Sequence, residues 1–276
     1  PKDVTVLAEG PGYMAVDKPA GLPVHPTAKY LHNTLTGVIR ERFGPDSGLN
    51  MAHRLDRETS GVVLFGRDRD STRTLKLYFR QGRIKKRYVA LVQGALEEPV
   101  TVERPIGPAP GSVIRIRMGV RADGQEALTR FRPLNPIGDA YTLVEALPVS
   151  GRQHQIRVHL EAIGLHLVGD KLYGHPDDFF LELVEDGLTP NLQRQLALPR
   201  QGLHAAALRF PLPDGSERPT VGRLPPEPAR EVLVRVDPLA AQPQAQRQVA
   251  HGRPGPHAAE PVHVADGRGV ALGGDH

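Results

Sequence analysis

The segment HRLDRETSG at 53–61 concentrates reactive side chains immediately before an apolar stretch. Asp56 stands between Arg54 and Arg57, and nearby positive charge favours the ionised form of a carboxylic acid. A fixed, ionised aspartate can act as a nucleophile or stabilise a developing cation. The alternative is a loop aspartate that caps its own turn, with Thr59 and its neighbour binding the backbone. For this motif taken alone, we favour that alternative.

A second polar cluster, GRQHQIRVHL at 151–160, places two Arg, two His and two Gln on the first turns of one predicted helix. Such groups are costly to bury unless they find partners. Arg157 could pair with a carboxylate, and the start of a helix suits a phosphate. The alternative is an exposed polar helix end. Helix surfaces, however, rarely carry so many neutral hydrogen-bonding side chains with so few Glu and Lys.

The run Lys85-Lys86-Arg87-Tyr88 enters an apolar strand and offers phosphate contacts beside an aromatic ring that can stack on a base. A solvated basic turn at a strand edge explains it about as well. From residue 67 to residue 87 there are nine Lys or Arg and two Asp, a balance of +7. The whole chain carries +4, so the remainder carries −3. One segment therefore supplies the positive excess, although a lone charge run is usually a solvated helix face.

These clusters lie among short predicted strands and helices. Hydrophobic periodicity and turn residues predict strands at 5–10, 13–18, 61–68, 87–94, 204–213 and 230–236, with further strand-like pieces over 101–149. The same signals predict helices at 35–44, 71–83 and 151–164, and one around 179–186. Because strands and helices do not alternate regularly, we expect an α+β domain around a large sheet.

Composition narrows the class of protein. The chain has 276 residues, 39% of them hydrophobic, so a sizeable core can be buried. It has no cysteine, which excludes disulfides, iron–sulfur clusters, thiolate zinc sites and a cysteine nucleophile. We find no secretory signal and no apolar run of about 18 residues, so we expect a cytoplasmic protein without a membrane span. No spare apolar stripe is visible, and we expect a monomer.

The composition changes after Pro238, where the chain becomes rich in Ala, Gln, Pro, Gly and His without an apolar period. We therefore predict a catalytic or binding domain over 1–237 and a disordered tail over 238–276. The histidines of this tail are widely spaced and lack a carboxylate pattern, so we expect no metal site there.

Taken together and in order, six segments resemble the RluA-type RNA pseudouridine synthases. They are VDKPAGLPVHP at 16–26, HRLDRETSG at 53–61, KRYVA at 86–90, GRQHQIRVHL at 151–160, GDKLYG at 169–174 and LHA at 203–205. The likeness covers roughly 4–236. HRLD followed by TSG is highly specific, and the related branch that modifies small-subunit RNA has a Gly where His53 stands. Six motifs in family order are not a chance match.

The resemblance implies a mixed, largely antiparallel central sheet flanked by helices, and an enzyme that isomerises uridine to pseudouridine in structured RNA, ribosomal or transfer. The base is detached at ring nitrogen 1 and reattached through carbon 5. By this resemblance, Asp56 matches the catalytic aspartate of the family, and Arg157 matches the arginine that pairs with it. Tyr88 matches the aromatic residue that packs on the uracil, and Arg54 matches the arginine that fills the gap left by a flipped base. Asp56, Tyr88 and Arg157 are thus the expected catalytic residues, and we expect the surrounding polar residues to bind the substrate, namely His53, Arg54, Thr59, Lys86, Arg152, His154 and Gln155.

The residues agree with this chemistry. Breaking a glycosidic bond builds positive charge at C1′, which a fixed carboxylate can stabilise or trap. Attack on uracil carbon 6 and proton loss from the ribose are rival routes that stay open. No redox change or group donor is needed, so we expect no cofactor and no metal. The motifs begin within a few residues of Pro1, without the small RNA-binding domain that many relatives carry there, so we expect the core itself to recognise the RNA.

Two alternatives remain at this stage. One is a non-catalytic RNA-binding protein on the same scaffold, which would have no use for an ionised carboxylate facing a polyanion. The other is a hydrolase that releases the base, which normally needs a second catalytic carboxylate. Neither Glu58 nor Glu161 lies in a context that marks it for that role.

Overall fold

The structure is a computed structural model that describes residues 3–25, 33–212 and 217–221. Within these residues the chain forms five helices and thirteen strands. The helices are α1 (Leu35–Phe43), α2 (Arg69–Arg80), α3 (Gln155–Glu161), α4 (Asp177–Glu185) and α5 (Pro190–Leu196). The strands are β1 (Thr5–Gly10), β2 (Tyr13–Lys18), β3 (Asn50–Met51), β4 (Ser60–Gly66), β5 (Lys85–Gln93), β6 (Val100–Glu103), β7 (Ile106–Pro108), β8 (Met118–Val120), β9 (Leu128–Ile137), β10 (Tyr141–Pro148), β11 (His166–Leu167), β12 (Leu203–Pro211) and β13 (Glu217–Val221).

One sheet of eleven strands dominates the described part of the chain. Its main order is β1-β2-β4-β12-β5-β10-β9-β6. Strand β3 pairs with β4, β11 with β5, and β13 with β12, whereas β7 and β8 form a separate two-stranded sheet. Every pairing in the large sheet is antiparallel except that of β4 with β12. The predicted α+β class, with a mixed and largely antiparallel sheet, is confirmed.

Strand β12 joins the two halves of this sheet. It pairs with β4 in parallel through His204 and Ala205, and with β5 in antiparallel register from Leu203 onward. At the crossing, Gly61 has φ +113°, and an added Cβ would lie 2.2 Å from the Ala205 carbonyl oxygen. Only glycine fits this close approach without a shift of the backbone. It fixes the start of β4, five residues after Asp56.

Helix α1 forms where its capping residue predicts, whereas α2 begins at Arg69 and ends at Arg80, earlier than the predicted 71–83. The Thr34 side chain accepts a hydrogen bond from the Gly37 amide at the start of α1, which buries Leu35, Val38 and Ile39 and ends at Gly44.

Helix α2 begins with a capping box between Asp68 and Ser71, buries Thr72 and Leu75, and directs its basic side chains outward. Tyr78 and Phe79, predicted to point inward, are half-buried. The pattern of apolar residues therefore fixes the orientation of both helices.

Two further parts of the chain differ from the sequence-based expectations, and one part is not described. Helix α3 starts at Gln155 rather than at 151, because His154 adopts the left-handed backbone conformation. Its polar residues 151–154 therefore form a turn before the helix, and α3 has seven residues. The region 176–200 holds two helices instead of one. The predicted strand at 230–236 and the predicted disordered tail at 238–276 lie outside the described residues. No helix of the described ranges is long and apolar enough to cross a membrane.

Candidate active site

A pocket of about 640 Å³ opens between the loop that precedes β4 and the turn that precedes α3. All ten residues singled out from the sequence line it, together with the end of α2 and the start of β5. These ten are His53, Arg54, Asp56, Thr59, Lys86, Tyr88, Arg152, His154, Gln155 and Arg157. Segments far apart in the sequence thus meet in one cavity, and Asp56 is the single carboxylate among the described residues that line it.

Asp56 is held by an arginine from the other half of the sheet. Arg157 on α3 donates from Nη1 to Asp56 Oδ2 at 2.9 Å. The same guanidinium donates from Nε and Nη2 to the two carboxylate oxygens of Asp170, at 2.7 and 2.8 Å. The Asp56 side chain remains 27% exposed, whereas the Asp170 side chain is completely buried. Asp56 is therefore the member of this triad that can meet a ligand.

The two carboxylates keep the buried guanidinium charged. Burial alone would lower the pKa of Arg157, but the charges of Asp170 and then Asp56 outweigh burial and raise it. For Asp170, burial would raise the pKa, and the charge and hydrogen bonds of Arg157 lower it below its usual value. Backbone amides of Leu172 and Tyr173 also donate to Asp170 Oδ1. Asp170 thus anchors Arg157, and Arg157 orients Asp56.

His154 flanks the same carboxylate. Its Nε2 lies 4.0 Å from Asp56 Oδ1, the oxygen that Arg157 does not bind. Its Nδ1 lies 2.9 Å from the hydroxyl of Tyr173. Burial and then the Arg157 charge lower the pKa of His154 to about 4, so its imidazole is neutral near pH 7. The Asp56 carboxylate acts in the opposite direction without overcoming these effects.

Tyr88 and Lys86 enter the pocket from one face of β5, because alternate residues of a strand share a face. Burial and then the Asp56 charge raise the pKa of Tyr88, so its phenol keeps its proton. Lys86 Nζ donates to the carbonyl oxygens of Val149 and Ser150, which tethers the turn before α3 to β5. Burial and then the charge of Arg152 lower the pKa of Lys86 to about 8.

The comparisons with known proteins agree with this arrangement. Residues 12–162 match the family model described as RNA pseudouridylate synthase. The chain belongs to the RNA pseudouridylate synthase family. It is 36% identical over 214 residues to an uncharacterized RNA pseudouridine synthase of Helicobacter pylori, covering 76% of this chain and 70% of that protein. It is 35% identical over 257 residues to the ribosomal large subunit pseudouridine synthase D of Xanthomonas campestris, and this match covers 90% of this chain and 75% of that protein.

A solved structure shares the fold of this pseudouridylate synthase. Human RNA Pseudouridylate Synthase Domain Containing 1 superposes with a TM-score of 0.65 over 92% of this chain and 97% of that one, at 23% identity. Membership of the family makes the protein an RNA pseudouridine synthase, an enzyme that isomerises uridine in RNA. The family resemblance and the reaction class predicted from the motifs are therefore confirmed.

Like Lys86 and His154, other predicted substrate-binding residues of this synthase already bind protein atoms, among them His53, Thr59 and Gln155. His53 Nε2 accepts from the Leu64 amide, and its ring packs on Phe79 with centroids 4.4 Å apart. The Thr59 hydroxyl accepts from the Gln201 side chain.

The Gln155 amide accepts from Ser150 and from the Arg152 backbone, and it donates to Leu128 and Thr129. These four bonds use the whole hydrogen-bonding capacity of that amide. Substrate contact by His53, Thr59 and Gln155 stays a prediction. Each of them also stabilises a wall of the pocket.

Lys18 supports the loop of the synthase that carries Asp56, a role that the sequence motifs do not predict. Its ammonium group is fully buried and donates to the carbonyl oxygens of Pro19, Leu22 and Arg57, at 2.9, 3.0 and 3.0 Å. Burial lowers the pKa of Lys18 to about 7, and the Asp56 carboxylate acts in the opposite direction. The opening loop and the residue after Asp56 are thereby tied to one point.

Asp170 and Tyr173 belong to the GDKLYG segment, and the motifs assign neither of them a role in the site. The observation that identifies Asp170 is structural. A buried guanidinium needs carboxylate partners for its remaining N–H groups, and Asp170 is the charged residue that follows the buried stretch Leu167–Gly169. Neither Glu58 nor Glu161 faces the pocket: Glu58 pairs with Lys171, and Glu161 with Arg117.

Basic side chains extend from the pocket along α2. Arg69, Arg73, Lys76 and Arg80 follow one another at intervals of four, three and four residues, so they share a helix face about 16 Å long. All four line a groove that shares Arg80 with the pocket. None of them has an ion-pair partner within the described residues. This surface is suited to a polyanion.

Proposed function

We propose that this synthase isomerises a uridine in structured ribosomal or transfer RNA, with Asp56 as its catalytic residue. The observation that carries the proposal is the Asp56–Arg157 ion pair, whose second carboxylate oxygen faces a pocket where the described lining residues include no other carboxylate. One carboxylate supports isomerisation rather than hydrolysis, because glycosidases normally use two. The name of the Xanthomonas relative, a ribosomal large subunit pseudouridine synthase, makes ribosomal RNA the first substrate to test.

Arg157 binds one oxygen of the Asp56 carboxyl group, which leaves Oδ1 facing the space that the nucleoside would occupy. An oriented carboxylate can attack C1′ of the ribose or carbon 6 of the uracil, or it can stabilise positive charge while a ribose proton leaves. All three routes detach the uracil from nitrogen 1 and require it to turn before carbon 5 bonds to C1′. The walls of the pocket keep the detached base beside its sugar.

The target uridine must leave its base stack to reach Asp56, at a cost of roughly a few kcal/mol. The exposed side chain of Arg54 lines the mouth of the pocket and can occupy the gap left in the RNA. The Tyr88 ring lines the interior, where it can pack on the uracil. Arg152 and Lys86 add positive charge near the phosphates of the everted nucleotide.

The groove along α2 supports contact with the flanking RNA strand. Its four cations have no ion-pair partner among the described residues and can neutralise successive phosphates, and such contacts position an RNA without reading its sequence. This binding offsets the cost of everting the uridine. It also gives the basic segment between the Asp56 motif and Tyr88 a function beyond solubility.

The test is to incubate RNA carrying tritium at uridine carbon 5 with the unaltered chain, with Asp56→Asn, and with Asp46→Asn as a matched exposed control. We expect tritium release without free uracil from the unaltered chain and the control. We expect none from Asp56→Asn, with RNA binding retained. Appreciable turnover by Asp56→Asn would remove Asp56 from the mechanism. Free uracil would indicate a hydrolase, and binding without either product would indicate an RNA-binding protein.

A further inference from the structure

His154 has a backbone conformation that its residue type disfavours. Its φ and ψ are 55° and 18°, in the left-handed region that glycine adopts readily and other residues seldom adopt. Among the described residues, Ala197 at the end of α5 is the one other non-glycine residue with positive φ. Such strain concentrates at functional sites, where it holds a side chain in a required place. The place held here is the wall of the pocket beside Asp56.

The hydrogen bonds of Tyr173 determine where the imidazole of His154 carries its proton. The Met118 amide donates to the Tyr173 hydroxyl oxygen at 3.0 Å. The hydroxyl therefore has its own proton to donate, and His154 Nδ1, at 2.9 Å, is its only other hydrogen-bond partner within the described residues. Nδ1 accepts that proton, so the imidazole proton resides on Nε2. Because the ring is neutral, this tautomer presents one N–H donor.

That donor points into the reaction space. His154 Nε2 has no hydrogen-bond partner among the described residues and lies 4.0 Å from the free oxygen of Asp56. A substrate atom about 3 Å from both groups fits between them, which is the spacing expected for a reacting group held by a nucleophile and a donor. The positive charge of Arg157 and the low polarity of the buried surroundings disfavour the protonated ring. His154 is thus suited to donate a hydrogen bond and keep its proton.

We propose that His154 is a catalytic residue that donates its Nε2–H to a carbonyl oxygen of the everted uracil. This inference rests on the proposed function. When the glycosidic bond breaks, its electron pair stays on the uracil and spreads from nitrogen 1 onto O2 and O4. When Asp56 adds to carbon 6 instead, the pair moves onto O4. In each case a carbonyl oxygen gains negative charge, which a fixed neutral donor stabilises without any proton transfer.

The decisive variant is His154→Gly, because glycine removes the donor and also relieves the left-handed strain. We expect the single-turnover rate of pseudouridine formation to fall on the order of 10²–10³-fold, as for loss of one donor to a developing oxyanion. The Kd for RNA should stay within about twofold of the unaltered chain, and the melting temperature should fall only modestly, because the variant loses the hydrogen bond to Tyr173 and the packing of the ring but relieves the left-handed strain. Ala197→Gly is the matched control, since it relieves the same strain elsewhere and should keep the full rate.

A conservative variant separates donation from packing. Asparagine tolerates the left-handed conformation and carries an N–H donor, so His154→Asn should regain at least about tenfold over His154→Gly. The rate of the unaltered chain should show no inflection from His154 between about pH 5.5 and 8, because its pKa is about 4.

Three results would overturn the inference: an unchanged rate in His154→Gly, a Kd for RNA that weakens as much as the rate falls, or an inflection near pH 6.5 that His154→Asn abolishes. The first would show that the donor is dispensable, the second that His154 serves RNA binding rather than the chemical step, and the third that the charged ring is the active form. Failure of the proposed function is distinct from all three, since the unaltered chain itself would then form no pseudouridine.

Discussion

Removing the Arg157 guanidinium should destabilise the fold far more than removing an exposed arginine, although both are ion-paired. The Arg157 side chain is 8% exposed and its partner Asp170 is fully buried. Arg67 pairs with Glu9, and these side chains are 45% and 58% exposed. Solvent screens the exposed pair, so Arg67→Met should change the free energy of unfolding by about 0–1 kcal/mol. Arg157→Met leaves the Asp170 charge buried without a partner, a loss of about 3–5 kcal/mol.

A second substitution tests whether the uncompensated charge causes that loss. In Arg157→Met/Asp170→Asn, neither buried charge remains, and the asparagine oxygen still accepts from the amides of Leu172 and Tyr173. The double variant should therefore be more stable than Arg157→Met alone, because a buried ion pair can often be replaced by neutral groups at little cost. Its activity should stay as low as that of the single variant, since Asp56 still lacks its guanidinium.

Urea unfolding gives the stabilities, and single-turnover pseudouridine formation gives the activity of the same samples. Equal stability losses in Arg157→Met and Arg67→Met would refute the ranking by burial. A double variant less stable than Arg157→Met would show that Asp170 contributes to the fold independently of its charge partner. Recovery of activity in the double variant would contradict the role of Arg157 in orienting Asp56.

Two further predictions concern the RNA surface and the sheet. Arg73→Gln/Lys76→Gln should make the plot of log binding constant against log salt concentration for single-stranded RNA less steep by about 1.4. The control Arg121→Gln removes a cation that is paired with Asp123, so it should leave the slope unchanged. A slope unaffected by the double substitution would exclude phosphate contacts along α2. Gly61→Ala should prevent soluble expression or lower the melting temperature sharply, because the Cβ of the alanine would meet the Ala205 carbonyl oxygen. A melting temperature equal to that of the unaltered chain would contradict this crowding.

The sequence predicts the parts of this fold that local chemistry determines. Thr34 and Gly44 mark the ends of α1, and short apolar stretches bounded by turn residues mark β1, β2 and β12. The motifs around Asp56 and Arg157 identify residues that the fold brings into one pocket. Each of these signals lies within a few residues of the feature it predicts, so no long-range information is needed.

The remaining features depend on contacts between distant segments. The run from Gly151 to Gly164 carries a continuous helical signal, yet the helix begins at Gln155 because His154 turns toward Tyr173. The role of Asp170 follows from a buried guanidinium thirteen residues earlier in the chain. The place of β12 between β4 and β5 follows from strand pairing across more than a hundred residues. Propensity and periodicity contain none of this information.

The central position of β12 has a consequence for synthesis of the protein. The half of the sheet that ends with β4 carries Asp56, the half that begins with β5 leads to Arg157, and the strand between them is made after both. While a ribosome is still translating residues before Leu203, the two halves of the nascent chain lack the strand that joins them. Maturation must therefore wait for a late, long-range docking event, a kind of contact that forms slowly.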